Sequence, residues 1–454
     1  MRLMSKSKSK NDSAKTCTLL AEHFQGNGLT ELVTSSRTFP VTSRVDLQTA
    51  LNRIFEKRYQ GKLVGFHAQY AHDTVTFSHL IRDWDHPVVI APLQHDEIDF
   101  GEVGPARCLK KGLWLSNSGG VPFAVLVTHA ERFGCDEGMY VEVAVPAGEQ
   151  GANHSRSFMD ELERTVSQIG SYRGKVISLE AIRSFSGKSG TIRVQKLRQV
   201  GREEVILPDK TLRLLERNVI EFIAQRDGLK RLGMSLKKGL LFYGPPGTGK
   251  THTIQYLASR LRDHTTLLIT AEQVGLLEHY FQLARFLQPA MVVVEDVDLI
   301  ARAREEMRSA CEESLLNKLL NEMDGLREDA SVLFILTTNR PEQLETALAS
   351  RPGRVDQAIE FPLPDDEGRR KLVQLYSRGM DIDELVTETV VQKTKKASAA
   401  FIKELMRRAA QYQIHAGDSG PVAIKHVESA LEEMLFAGGN LNVKLLGGAA
   451  ECLV

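Results

Sequence analysis

Apolar residues recur along this chain with two periods, and the change between them divides it. Residues 1–38 are polar, with few periodic apolar positions, and predict a flexible tail carrying one short helix around Leu19–Phe24. From Asp46 to Tyr59 the positions Leu47, Leu51, Ile54 and Phe55 have the spacing of one helix face. Strand patterns follow. Phe123–Thr128 and Met139–Val145 are rich in β-formers, and in the second Tyr140, Glu142 and Ala144 alternate with Val141, Val143 and Val145 as in a half-buried strand. A helix is expected over Ser157–Ile169, with Phe158, Leu162, Val166 and Ile169 on one stripe and Ser157 and Asp160 at its start. Lys175–Leu179 and Thr191–Val194 read as a β-hairpin whose turn holds FSGKSG, and an amphipathic helix follows over Thr211–Arg226. These patterns predict an α+β domain over 39–200, with a boundary near 195–205.

Beyond that boundary the pattern is different. Leu240–Phe242, Met291–Val294 and Val332–Leu336 are short all-apolar runs, and helical patterns such as Lys250–Arg262 separate them. Strands of that kind are buried on both faces, as in a parallel sheet with crossover helices. The first run breaks into Gly244, Pro245, Pro246, Gly247, Thr248, Gly249, Lys250 and Thr251, which fits G-x-x-x-x-G-K-[ST] between a strand and a helix. Glycines let main-chain N–H groups converge on a phosphate at a helix N-terminus. Lys250 would reach the β/γ oxygens, and Thr251 would offer a hydroxyl to Mg2+.

Acids and amides stand at the ends of the other two runs. Glu295, Asp296 and Asp298 follow Val294, where magnesium and an attacking water have to be managed. Thr337, Thr338 and Asn339 follow Leu336, and an amide there can position a γ-phosphate and a water without carrying charge. After a short helix at Leu344–Leu348, Arg351 and Arg354 flank Pro352-Gly353. Two readings stay open for them: cations aimed at a γ-phosphate, or local ion pairs.

Composition narrows the partners. Lys+Arg and Asp+Glu both total 58 in 454 residues, so bulk charge does not call for nucleic acid. Cys17, Cys108, Cys135, Cys311 and Cys452 form no C-x-x-C pair, which points to a reducing compartment. No apolar run is long enough to span a bilayer, and a cytoplasmic location is expected. His67, His72, His79, His86 and His95 lie close in sequence but without tight metal-ligand spacing, and are read as ordinary hydrogen-bonding histidines.

The ordered set GPPGTGKT, VVVEDVDLI, LLNEMDG, LTTNRPE, RPGRVD and FPLPD resembles the AAA family of ATPases within the AAA+ superfamily, over residues 200–440. That resemblance implies an α/β P-loop nucleotide domain over 201–363 and a small helical lid over 364–437, with helices such as Ala399–Tyr412 and Pro421–Leu435, then a C-terminal tail over 438–454. It implies ATP and Mg2+ as cofactors and a homohexameric ring acting on a protein client. It also assigns Glu295 and Asp296 to Walker B, Asn339 to sensor 1, Thr251 and Glu295 to the metal, and Arg351 and Arg354 to the neighbour's nucleotide. The Glu-Asp order and the lead-in KKGLLFYGPPG are similar to the mitochondrial Rieske-protein translocase group, while residues 39–195 resemble nothing recognised.

Three departures from the family pattern qualify it. Most members carry Asp then Glu at Walker B, so the water-activating carboxylate here, Asp296, is one methylene shorter. Between Thr270 and Met291 only Val274 precedes Gly275 where unfoldases place an aromatic pore residue, and Tyr280 and Phe281 read as core on a helical pattern with Leu276, Leu277 and Leu283. ALASRPGR has one residue more before Arg351 than the usual ALLRPGR. The leading expectation is an ATP-driven remodeller of protein clients, against a nucleotide-gated assembly switch with slow hydrolysis. A nucleic-acid remodeller using a patch such as Lys393, Lys395 and Lys396 comes third.

Overall fold

The computed structural model describes residues 14–69, 73–83, 86–132, 135–184, 187–299, 315–344, 354–417 and 420–437. The chain forms two compact units, one of residues 1–172 and 179–194 and the other of residues 173–178 and 195–454.

The first unit is built on an antiparallel sheet. Its strands are β1 (Val33–Phe39), β2 (Lys62–His67), β3 (Val89–Ala91), β4 (Gln94–Ile98), β5 (Ala106–Ser118), β6 (Val121–Arg132) and β7 (Cys135–Val145), in the order β1-β7-β6-β5-β2-β3 with β4 also on β5. The helices are α1 (Thr16–His23), α2 (Arg44–Ile54), α3 (Phe77–Leu80) and α4 (Glu149–Ile169). Two apolar layers cover the sheet. Phe123, Val125, Val127, Val141 and Val143 pack with Leu51, Phe55, Phe158 and Leu162, whereas Leu113, Leu115, Ala124, Leu126 and Ala144 pack with Leu20, Phe24, Phe77 and Leu80.

That double cover corrects the half-buried reading of Met139–Val145. Glu142 is 5% exposed on the face expected to be wet, and its carboxylate accepts the Phe77 N–H at 2.6 Å. The tail expected over 1–38 is also corrected. Residues 33–39 form β1, paired antiparallel to β7 from Val33 opposite Val145 to Phe39 opposite Met139, because main-chain pairing needs no apolar side-chain pattern. The helix expected from Ser157 begins at Glu149 after Gly148. Gly151 lies so close to the preceding turn that a Cβ there would meet the Pro146 carbonyl at 2.1 Å.

The hairpin of β8 (Val176–Ser184) and β9 (Gly187–Val194) moves the predicted boundary. Residues 173–178 group with the second unit, where Val176 and Ile177 pair in parallel with Thr266 and Leu267, and Leu179–Val194 group with the first.

In the second unit β10 (Lys238–Tyr243), β11 (Thr265–Ile269), β12 (Ala290–Val294), β13 (Val332–Thr338) and β14 (Gln357–Glu360) form a parallel sheet in the order β14-β10-β13-β12-β11. Around it run α5 (Asp209–Glu216), which continues in helical turns to Ala224, α6 (Arg226–Arg231), α7 (Lys250–Arg260), α8 (Leu277–Phe286) and α9 (Leu315–Asp324). Every residue of β12 and β13 is buried, as their unbroken apolar runs require. Tyr280 and Phe281 on α8 are fully buried, and the Phe281 ring stacks on Phe334 at 5.6 Å. A helical subdomain closes the chain with α10 (Asp366–Tyr376), α11 (Glu384–Lys393), α12 (Ala399–His415) and α13 (Ile424–Glu432) around Leu372, Val390, Phe401, Leu405 and Val427. Asp365, Asp383 and Ser398 cap the first three of these helices by accepting main-chain N–H bonds.

Candidate nucleotide site

Parallel strands present all their carboxyl ends at one edge of the sheet, and the candidate residues meet there. β10 delivers Gly244 to Gly249 and α7 begins at Lys250. The glycines are needed for closeness. A Cβ on Gly244 would lie 2.2 Å from the Phe361 carbonyl, and one on Gly247 would meet Ser398 Oγ at 2.8 Å and Ala400 Cβ at 2.9 Å.

Lys250 Nζ donates to the carbonyls of Gly244 at 2.8 Å and Pro245 at 3.0 Å, and to Asn339 Oδ1 at 2.8 Å. Thr248 Oγ1 donates to the same Pro245 carbonyl at 2.9 Å, and Pro246 lines the pocket beside it. Asn339 Nδ2 in turn donates to Asp296 Oδ1 at 3.0 Å, so one amide bridges the lysine and the carboxylate. Thr251 Oγ1 donates to Glu295 Oε1 at 2.9 Å. The strands that end in Val294 and Thr338 are adjacent, which is why residues 41 to 43 apart in sequence touch.

Burial sets the charges. It pushes the Lys250 ammonium down to about 8, against the pull of Asp296 and Asp298. Burial also raises the Asp296 carboxyl, with Asp298 adding to the rise and Lys250 and Asn339 opposing it. Asp296 has φ +49°, the left-handed region, and its N–H donates to Thr337 Oγ1 at 3.0 Å. Asp298 is 4% exposed and accepts from Thr338 Oγ1 at 2.8 Å, so it braces the end of β13.

The pocket at this edge has a volume of about 350 Å3 and also draws on residues that motif spacing did not reach. Glu204 to Leu207 and His252 line it, as do Tyr376, Ala400 and Lys403 from the helical subdomain. The Ala400 N–H donates to the Gly247 carbonyl at 3.1 Å, which fastens α12 to the phosphate loop. Only the amphipathic pattern of α12 was visible in sequence; its contact with Gly247 was not.

The two arginines fare differently. Arg354 does not line this pocket. Its guanidinium is ion-paired to Asp324, with a side chain 13% exposed, in a cavity shared with Lys237, Lys238 and Asp356. The local ion-pair reading therefore describes Arg354 within its own chain. Arg351 lies outside the described residues, as does most of the short helix expected at Leu344–Leu348.

Residues 240–363 match the family model of the ATPase family associated with various cellular activities (AAA). These residues are an AAA ATPase domain. The chain is 34% identical over 201 residues to the 26S proteasome regulatory subunit 6B homolog of Dictyostelium discoideum, covering 41% of this chain and 49% of that one. It is also 34% identical over 215 residues to the Cell division cycle protein 48 homolog of Archaeoglobus fulgidus, covering 45% of this chain and 29% of that one. With the Proteasome-activating nucleotidase of Methanothermobacter thermautotrophicus it shares 32% identity over 197 residues, covering 41% and 48%. The chain thus spans half or less of the length of these relatives. The finer likeness to the Rieske-protein translocase group rests on the Glu295-Asp296 order and the KKGLLFYGPPG lead-in alone.

Within the AAA domain, Lys250 and Thr251 at the end of the glycine loop donate directly to Asn339 and Glu295 at the ends of the neighbouring strands. Glu295 and Thr251 supply two oxygen donors 2.9 Å apart next to a phosphate-binding lysine, a donor set that suits a hard cation keeping several waters. Among the described residues there is no group of three or more His, Cys, Asp or Glu that could hold a metal ion by protein ligands alone, and no helix long and apolar enough to cross a membrane.

Proposed function

We propose that this chain is an ATP-hydrolysing AAA ATPase that assembles as a homohexameric ring and remodels or disassembles protein clients recognised by its first unit. The observation that carries this reading is the bridge of Asn339 between Lys250 and Asp296, next to the Thr251–Glu295 pair. In it, Lys250 and the loop N–H groups hold the β- and γ-phosphates, and Thr251 and Glu295 would hold Mg2+. That ion supplies charge neutralisation of the phosphate oxygens. Asp296 orients the attacking water and takes its proton, and Asn339 fixes both that carboxylate and the γ-phosphate. The left-handed backbone at Asp296, which costs on the order of 1 kcal/mol, sets where the shorter side chain starts.

Arg351 and Arg354 are proposed to serve the nucleotide of a neighbouring copy, for which Arg354 would leave Asp324. The proteasomal names of two relatives support a protein client, and the free buried thiols of Cys17 and Cys108 fit a cytoplasmic, reducing setting. Lys393, one of three lysines in the local basic patch, donates to Glu428 at 2.6 Å, which weakens the nucleic-acid reading.

A second reading, a nucleotide-gated assembly switch with slow turnover, is favoured by the burial of Tyr280 and Phe281, which leaves neither aromatic to grip a threaded peptide. Light scattering after size exclusion, with and without ATP and magnesium, combined with phosphate release, separates the two. The expected result is an ATP-dependent ring whose turnover falls about 10²-fold or more in Asp296→Asn and vanishes in Lys250→Ala. A ring with negligible wild-type turnover would move the function to the switch. A monomer without ATPase activity would overturn both.

A further inference from the structure

The nucleotide pocket has a polar end and an apolar end. Lys250, Thr251, Asp296 and Asn339 make the first, while Val205, Ile206, Leu207, Leu372 and Tyr376 wall the second, where a base rather than a phosphate fits. One side chain joins them. His252 follows Thr251 directly on α7, lines the same pocket, and donates from Nε2 to the main-chain carbonyl of Glu204 at 3.1 Å.

Glu204 is itself held in place. Its carboxylate accepts the Gly201 N–H at 3.2 Å and an Arg198 N–H at 2.5 Å. The Val200 N–H donates to Ser259 Oγ, also on α7, at 3.3 Å. Between the short turn at Arg202–Glu204 and the start of α5 at Asp209 the segment has no ladder or helix of its own, so its position depends on such single bonds. The His252 bond is the one next to the apolar wall. A carbonyl only accepts, so the His252 ring serves it through Nε2–H.

We propose that His252 is a positioning residue for the nucleotide base: by holding the Glu204 carbonyl it fixes the Val205–Leu207 wall relative to the phosphate loop, and so sets the preference for an adenine over a guanine edge. The proposal rests on the nucleotide-site reading above. A base and its phosphates are parts of one ligand, so a wall that shifts against Lys250 cannot satisfy both at once. The polar partners such a wall can offer a base edge are its main-chain N–H and C=O groups at Ile206 and Leu207, and discrimination between a 6-amino donor and a 6-oxo acceptor fades when they drift.

The test uses the full chain and two probes, ATP and GTP, each measured by displacement of a fluorescent ADP and by steady-state turnover. In His252→Ala, ATP affinity should fall about tenfold, the scale of one hydrogen bond, and the ATP-over-GTP preference should shrink with it. KM should rise by a larger factor than kcat falls. His252→Gln, whose amide can reach the same carbonyl, should recover most of both. Should the alanine variant not fold, His252→Leu against His252→Gln makes the same comparison at similar volume. Unchanged affinity and selectivity without the donor, a loss confined to kcat, or a glutamine variant as impaired as the donor-less one would overturn the proposal. Wild-type protein that binds neither nucleotide would overturn the site reading along with it.

Discussion

Both units bury a β-sheet on both faces and both bury polar side chains, yet among the described residues only one gathers them into a site. In the first unit several buried polar groups are answered one at a time by main chain. Glu142 accepts from Phe77, Asp46 accepts the Ser171 N–H at 2.7 Å, Thr16 donates to the Leu80 carbonyl at 2.8 Å, and Ser116 donates to the Tyr59 carbonyl at 2.5 Å. Strands that alternate in direction spread such groups over both edges. In the second unit the strands run one way, and side chains of opposite charge answer one another through Asn339 at a single edge. The lesson is that polar burial by itself does not mark function. What marks it is polar burial whose partners are other ionisable side chains beside a phosphate loop.

The sharpest way to break the comparison is to damage the first unit and watch the second. Phe158 is fully buried against Phe55, Tyr59 and Phe123, with ring centroids 5.8 to 5.9 Å apart. Phe158→Ala should cost the first unit about 3 to 5 kcal/mol. Trp114 is buried in that unit, and the chain's other tryptophan, Trp84, falls within the same stretch of sequence, so intrinsic fluorescence during denaturant unfolding reports on the first unit. ADP binding below the fluorescence midpoint should stay within twofold of wild type. A parallel loss of binding would show that the nucleotide unit depends on the first unit's core.

The same contrast explains what was legible in sequence. Gly244 to Thr251, Glu295, Asp296 and Asn339 could be placed because a phosphate loop fixes spacing over eight residues, and because all-apolar strands announce a parallel sheet. The first unit was harder. Its β6 and β7 feed two cores at once, so Glu142 resembled a wet position until the Phe77 N–H that holds it was in view. Residues 33–39 carried no apolar pattern, since five of the seven are Thr, Ser or Arg on an edge strand held by main-chain bonds. Within the site itself, Lys403, Tyr376 and the Glu204 carbonyl are brought in by tertiary packing, and no local rule connects them to Gly247.

Titration sharpens the comparison at intermediate cost. Lys250 has its pKa lowered to about 8, so it is a cation at neutral pH and loses its proton as the pH rises through that value. Nucleotide affinity should therefore fall above about pH 8, approaching tenfold per pH unit, with bound phosphate moving the break upward. Asp296 acts only when ionised and its pKa is raised, so kcat/KM should fall on the acid side at a higher pH than an ordinary carboxylate would give. The first unit should not respond over the same range, because burial pushes the Cys108 thiol up to about 11 and raises Tyr172 as well, keeping both neutral. Binding between about pH 7 and 9, kcat/KM followed down to about pH 5, and tryptophan-detected stability check the three in turn. A flat affinity profile would mean that Lys250 keeps its proton throughout.

The smallest effect bears on the two readings of function. Tyr280 Oη donates to the Leu268 carbonyl at 2.9 Å and lies 3.0 Å from Gln273 Oε1, which places it in the core beneath β11 rather than on a client-facing loop. Tyr280→Phe should then cost only about 1 kcal/mol of stability in the second unit, the usual net value of one buried hydrogen bond, while ATP turnover and client release per ATP stay as in wild type. A client-gripping residue would behave in the opposite way, losing release at unchanged stability and turnover. If Tyr280→Phe uncouples release from hydrolysis, the segment between Thr270 and Met291 must rearrange to present its aromatics, and the threading motor regains the ground that their burial gives to the switch.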